Sequence, residues 1–130
     1  MELLTTEVQH RRGWAVVKVR GQLDVATAPD FRQLLVEAAF GDAHGLVVDL
    51  DGLEFLDSIG LGVLVGALKR ARTHGTSFAL VCSQERILRL LDLTRLSEIL
   101  TIVDTVDVLP RPDPPPPRPR GSEEVAGGTP

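Results

Sequence analysis

Read as a pattern of apolar and polar positions, the chain alternates between two periods. A weak apolar stretch at Leu3–Val8 and a clearer alternation at Trp14–Val19, closed by Gly21, have the two-residue repeat of strands, the second half-buried. The segment "TAPDFRQLLVEAAFG" changes to helical spacing: Phe31, Leu34, Leu35, Ala38 and Ala39 share a face, with Thr27 expected as N-cap, Pro29 in the first turn and a turn at Gly41. "GLVVDL", Gly45–Leu50, is a short apolar run between turn residues, the signature of a central strand covered on both faces. A second helix follows Ser58 and ends near His74 and Gly75. "SFALVC" is a further strand, "SQERILRLLDL" a helix with Ser83 as its expected cap, and "EILTIV" a last strand.

The order β-β-α-β-α-β-α-β predicts the α/β class. Right-handed crossovers between strands then give a mixed, mostly parallel sheet of four to five strands with three to four packed helices. Leu34, Val47, Val48, Leu64, Leu68, Leu80 and Leu91 are the expected core, and glycine at 62 and 66 is expected to let the second helix lie close to the sheet.

Composition changes this picture at one end only. Eight of the nine prolines lie between Pro110 and Pro130, which divides the 130 residues into a folded domain, 1–109, and an expected disordered tail, 110–130, with too little apolar surface to offset ordering. An SH3-like ligand role for that tail is the lesser alternative. A hydrophobic share of 43% suffices for one core. The net charge of -4 and the absence of aromatics interleaved with cations disfavour direct nucleic-acid binding. Cys82 is the sole cysteine, so neither a disulfide nor a CxxC metal pair exists within the chain, and a small buried hydrophobe is expected there. No leader-like start or run of roughly 20 apolar residues is present, so a cytoplasmic, soluble protein is expected.

The candidate chemistry centres on Ser58 in "LDSIGLGVLVGALKRAR", for which four readings are open. As a hydrolase nucleophile it has half a GxSxG elbow, Gly60 without a glycine at 56, and His74 stands roughly 24 Å further along the same helix. As part of a phosphate-cradling loop it lacks both the full GxGxxG and any GK[ST]. As an N-cap it would satisfy a first-turn amide. As a phosphoacceptor it would sit where a helix N-terminus favours anions, and capping does not exclude this.

Three stretches in order then resemble one family, the STAS domain anti-sigma factor antagonists of bacteria, also called anti-anti-sigma factors. "GQLDVATAP" (Gly21 to Pro29) is similar to the family's G-E-[LI]-D-x-x-T-A-P, "LDSIGLGVLVGALKRA" to its [MF]-D-S-[ST]-G-L-G-x-[LF], and "ILRLLDLTRL" to its R-L-[LF]-[DE]-[LIM]-[ST]-G-L. The resemblance runs from roughly Val8 to Val108. It implies a STAS-like fold and a non-enzymatic switch: the unphosphorylated form sequesters an anti-sigma factor serine kinase and releases a sigma factor, and phosphorylation at Ser58 ends the complex. It implies partner contacts at Asp24, Thr27, Asp57, Ser58, Ile59, Gly60 and Leu61, and a PP2C-like phosphatase that resets the switch. No cofactor, metal or catalytic residue is implied in this chain, since ATP and Mg2+ belong to the kinase; a monomer or weak dimer without membrane contact is expected.

Two positions depart from the family pattern. Ile59 replaces a second Ser or Thr, and Arg95 stands where glycine is common. The family's last helix is shortened here, because Pro110 limits "DTVDVL" to about two turns. The alternatives are a STAS interaction module of a larger stress-signalling or transport assembly and, more remotely, a small serine hydrolase or nucleotide-binding protein.

Overall fold

The computed structural model describes residues 3–39 and 43–114. Five strands and three helices follow the expected order: β1 (Leu4–Arg11), β2 (Trp14–Leu23), α1 (Ala28–Ala39), β3 (Gly45–Leu56), α2 (Ser58–His74), β4 (Ser77–Val81), α3 (Glu85–Leu93) and β5 (Ile102–Val103). The sheet order is β1-β2-β3-β4-β5, with β1 antiparallel to β2 and the other pairs parallel. Spatial order repeats chain order, so each right-handed crossover puts its helix on the same face of the sheet. All three helices meet the sheet in one core, where Phe31 and Leu35 of α1, Leu61, Leu64 and Leu68 of α2, and Ile87 and Leu91 of α3 pack on Val17, Val48 and Leu80. The residues expected in the core are buried except Leu34, which is half-buried at its margin.

The opposite face of the sheet accounts for the main departure in β2. Trp14 and Val16 are buried, because Val106 and Leu109 fold back over them together with Val47, Ala79 and Val81. The strand is thus covered on both faces at its start rather than half-buried. It also continues past Gly21 to Leu23, with Gly21 at a positive φ of 102° where the register against β3 shifts. The β1–β2 turn places Arg12 and Gly13 both at positive φ, 54° and 89°, as a two-residue hairpin turn requires.

The expected last strand is reduced. Leu96–Glu98 form a 3-10 turn instead, and only Ile102–Val103 pair with β4. The Ile99 and Leu100 amides donate to the Leu96 carbonyl at 3.1 and 3.0 Å, so the first half of the expected strand is wound onto the 3-10 turn, and Arg95 takes a left-handed φ of 64° where the chain turns between α3 and that 3-10 turn. A non-glycine residue in this region costs roughly 1 kcal/mol, so Arg95→Gly is expected to raise stability by about that amount in urea unfolding. The shortened last helix is a single 3-10 turn, Val106–Val108.

The ends of the helices also differ from expectation. Ser83 does not cap α3; Gln84 holds that position, and the Ser83 hydroxyl donates to Asp51 Oδ1 at 3.1 Å. Glycine at 62 and 66 does not admit the sheet: a Cβ on Gly62 would meet nothing within 4 Å, and one on Gly66 only Arg70 Nη1 at 3.5 Å. Both lie on the outward side of α2. Gly62→Ala is therefore expected to stabilise the chain by about 0.8–1 kcal/mol through helix propensity alone, measured by thermal or urea unfolding.

Cys82 is buried in the core as expected, and burial pushes its thiol up. Among the residues after Leu109, the Pro110 carbonyl accepts a hydrogen bond from Trp14 Nε1 at 3.0 Å. Pro112 lies against Gly13, where an added Cβ would meet its Cδ at 3.1 Å. The described start of the expected tail thus follows the domain surface, without helix or strand. Residues 115–130, like the turn at Gly41, lie outside the described residues.

Candidate functional site

The parallel register places Leu23, the last residue of β2, beside Leu56, the last of β3. Each is followed by an aspartate. Asp24 and Asp57 therefore leave the sheet side by side at the carboxyl edge of the strands, where open α/β sheets commonly present their binding residues.

Asp24 closes a tight turn onto α1. Its Oδ1 accepts from the Ala26 and Thr27 amides at 2.9 and 3.2 Å, the local side-chain bonding that favours aspartate in turns. The Thr27 hydroxyl accepts from the Asp24 amide at 3.0 Å and donates to the Gln22 carbonyl at 2.8 Å. Thr27 immediately precedes α1, and its carbonyl accepts from the Phe31 amide at 3.1 Å, but its hydroxyl faces back into the turn instead of capping the helix amides.

At the start of α2 the cap is Asp57, not Ser58. Asp57 is extended, with φ -111° and ψ -174°, and its Oδ1 accepts from the Gly60 amide at 2.9 Å while its carbonyl accepts from Leu61 at 2.9 Å. Ser58 becomes the first helical residue, exposed to solvent. Its hydroxyl is released from capping, and its own amide belongs to the first turn, whose donors have no partner within the helix. The positive end of a 17-residue helix lies directly beneath it.

The approach of α2 to the sheet is set by Gly60. A Cβ there would stand 2.8 Å from Leu23 Cγ, 2.8 Å from Leu56 Cδ1 and 2.9 Å from the Leu23 carbonyl oxygen. The Asp57 amide reaches the same carbonyl at 3.4 Å. Glycine at 60 therefore does the work expected of 62 and 66.

The seven residues singled out thus divide in two. Asp24, Asp57, Ser58 and Ile59 form a surface, with the two acids half-buried and Ile59 49% exposed. Thr27, Gly60 and Leu61 are buried and support it from below. Two exposed apolar residues beside this surface escaped the sequence reading, Val25 at 69% and Phe55 at 48%. Val25 had a signal, an apolar side chain inside a polar turn; Phe55 had none, since it lies beyond the expected strand Gly45–Leu50, which continues to Leu56.

Histidine is absent from this edge. His10 pairs with Ala15 near the β1–β2 turn, His44 directly precedes β3, and His74 ends α2, all at the other end of the sheet or helix. Among the described residues no histidine stands near Ser58 to act as the base of a triad. Among the described residues there is no cluster of His, Cys, Asp and Glu able to hold a metal ion, and no helix long and apolar enough to cross a membrane.

The STAS domain model matches residues 5–109, which takes in every described element except the first residue of β1. The chain belongs to the STAS domain family. It is 35% identical over 99 residues to an anti-sigma-B factor antagonist of Bacillus subtilis, covering 76% of this chain and 90% of that protein. It is also 35% identical over 92 residues to one from Staphylococcus epidermidis, covering 71% and 85%. Among solved structures, an anti-sigma factor antagonist from Mycobacterium paratuberculosis superposes with a TM-score of 0.73 at 32% identity, over 80% of this chain and 88% of that one. The five-stranded, mostly parallel sheet with three helices on one side is thus the STAS fold, with a 3-10 turn at Val106–Val108.

Proposed function

We propose that this STAS protein is an anti-sigma factor antagonist that works by partner switching. In its unphosphorylated form it binds and sequesters an anti-sigma factor serine kinase, which frees a sigma factor. Phosphorylation of Ser58 ends that complex, and a PP2C-like phosphatase restores it. ATP and Mg2+ are bound by the kinase; this chain contributes no catalytic residue and makes no direct contact with nucleic acid.

The observation that carries this reading is the division of labour at the head of α2. Asp57 takes the capping role, so the neighbouring serine is presented with a free, exposed hydroxyl at a helix N-terminus. Kinship with the anti-sigma-B factor antagonists supports the choice of partner. Ile59 and Val25 supply exposed apolar contact area beside a serine flanked by two carboxylates.

The test is incubation of the full chain with the candidate kinase and Mg-ATP, followed by peptide mapping. Phosphate is expected on Ser58. Thr27 is expected to stay unmodified, because its hydroxyl is buried and already shared between Asp24 and Gln22. Phosphate confined to Thr27 or Thr94 would overturn the site, and a chain that binds the kinase but takes no phosphate would be an interaction module instead.

A further inference from the structure

Beyond the switch serine, the strand that delivers it is held in a way that strand pairing does not explain. β3 runs for 12 residues, yet β4 pairs only with residues 45–49 of it. Just past that point the Asp51 amide turns to the Asp49 carboxylate, donating to Oδ1 at 3.0 Å. The outer part, residues 50–56, keeps a strand neighbour on the β2 side only, where the register shifts between Lys18 and Arg20 and again between Gly21 and Gln22. This is the part that leads into Asp57 and Ser58.

On the other side stands the segment between β4 and α3, and its side chains take a strand's place. Gln84 Nε2 donates to the carbonyls of Leu50, Asp51 and Leu53 at 3.1, 2.9 and 2.7 Å. The Ser83 amide and hydroxyl both donate to Asp51 Oδ1, at 2.6 and 3.1 Å, and Arg86 Nη2 donates to the Glu54 carbonyl at 2.7 Å. A carboxamide NH2 carries two hydrogens, so the three carbonyls share them, and only the donor end of the amide can face a site built wholly of acceptors. Gln84 forgoes a local role to make these bonds. It holds the N-cap position of α3, where serine, threonine, asparagine or aspartate is preferred, and its side chain caps no amide there. Its backbone is firmly seated all the same, because its carbonyl accepts from the Leu88 amide at 2.9 Å and Ile87 and Leu91 of the same helix are buried in the core.

We infer that Gln84 is a positioning residue for the switch serine: its amide fixes the outer part of β3, and with it the place at which Asp57 and Ser58 leave the sheet edge. Its last acceptor, Leu53, and the residue that precedes Asp57, Leu56, belong to one extended strand. Asp57 in turn ties strand to helix, its amide donating to the Leu23 carbonyl at 3.4 Å and its Oδ1 accepting from the Gly60 amide at 2.9 Å. Without the Gln84 amide three carbonyls lose a donor, and this stretch of β3 is held through β2, Ser83 and Arg86.

This inference rests on the proposed function for the role of Ser58, and the experiment separates the two. Amide hydrogen exchange is followed in the full chain alone for the wild type, for Gln84→Met, which keeps the length and removes the donors, and for Ile87→Val, a core variant of α3 that leaves these bonds intact. In Gln84→Met the Asp57 and Gly60 amides are expected to exchange about tenfold faster relative to the amides of α1, and in Ile87→Val to keep the wild-type ratio. Arg86→Met, which alters an exposed residue and frees only the Glu54 carbonyl, is expected to show the same pattern at about threefold, and it carries the test if Gln84→Met does not fold. With the candidate kinase and Mg-ATP, kcat for Ser58 is expected to fall about tenfold in Gln84→Met while KM stays within about threefold, as a misplaced acceptor hydroxyl requires. A mere loss of stability in a chain that is still folded would leave kcat unchanged. Wild-type exchange at Asp57 and Gly60 in the variants, or a kcat equal to that of the wild type, overturns the inference and leaves the proposed function standing. A wild type that takes no phosphate on Ser58 overturns the proposed function, and exchange then decides alone: acceleration at Asp57 and Gly60 supports the positioning, and unchanged exchange overturns it.

Discussion

Stoichiometric phosphate on Ser58 is expected to lower the affinity for the anti-sigma kinase by a factor of roughly 30 or more, because losing a charge-assisted contact or gaining a desolvated like-charge clash costs about 2–5 kcal/mol in an interface. The modification adds about -1.5 to -2 charges and three acceptor oxygens beside Asp24 and Asp57, on the surface proposed to meet the partner. Within the chain the helix end is expected to accommodate the same phosphate. Asp57 occupies the Gly60 amide, which leaves the amides of Ser58 and Ile59 and the positive helix end to face the new anion. Binding should therefore fall while the thermal midpoint stays nearly unchanged, a combination that general destabilisation cannot produce. Ser58→Asp, with less charge and fewer acceptors, is expected to show a partial loss, and Ser58→Ala to bind as the wild type does and to resist inactivation. Calorimetric titration of the phosphorylated protein and the two variants decides the matter, and equal affinities for modified and unmodified chain would sink the switch.

Gly60→Ala is expected to be the most damaging single methyl group near the site. The added carbon meets two leucine side chains and a backbone oxygen below 3.0 Å, and the oxygen belongs to the last residue of β2, which cannot rotate away. Overpacking of this kind costs about 1–3 kcal/mol, and the rigid neighbour places this case at the upper end. Relief requires α2 to move off the ends of β2 and β3, the two strands that hold Asp24 beside Asp57. Urea unfolding should show the loss of stability, and kinase affinity should fall with it. Gly62→Ala, two residues along the same helix, shifts stability in the opposite direction for the reasons given above. If Gly60→Ala were as stable as the wild type, the close approach of α2 to Leu23 would be refuted.

Comparison of these two glycines shows where the sequence was legible. Helical spacing from Leu61 to Ala71 identified α2 and its inward face, and the alternation of elements identified the sheet and its mostly parallel sense. The spacing did not reveal which glycine opposes a backbone, since that depends on how deeply the helix enters the sheet edge, a distance set by β2 and β3 together. The cap of α2 was misplaced by one residue for a related reason: Asp57 and Ser58 are both good N-caps by type, and only the exit of β3 at Leu56 decides which one is extended. The second face of β2 was illegible because the residues that cover Trp14 and Val16 come from Val106 and Leu109, some ninety positions later. The left-handed Arg95, by contrast, was visible as a departure at a position where glycine is common, and the turn after α3 follows from its backbone. The motif residues were found together, but their division into surface and support required burial: Leu61 reads as a contact in the motif and is a core residue in the fold.

The hydrogen bond from Trp14 to the Pro110 carbonyl has a practical consequence for handling this protein at surfaces. Trp14 opens β2 and Leu23 ends it, so the strand separates the two by about 30 Å, and Pro112 rests beside Gly13 at the Trp14 end. A tether, dye or bead joined immediately after Pro114 therefore starts at the pole of the molecule remote from Ser58. Immobilised in that orientation, the chain offers its switch edge outward, and optical or force measurements of kinase capture proceed without steric interference from the support.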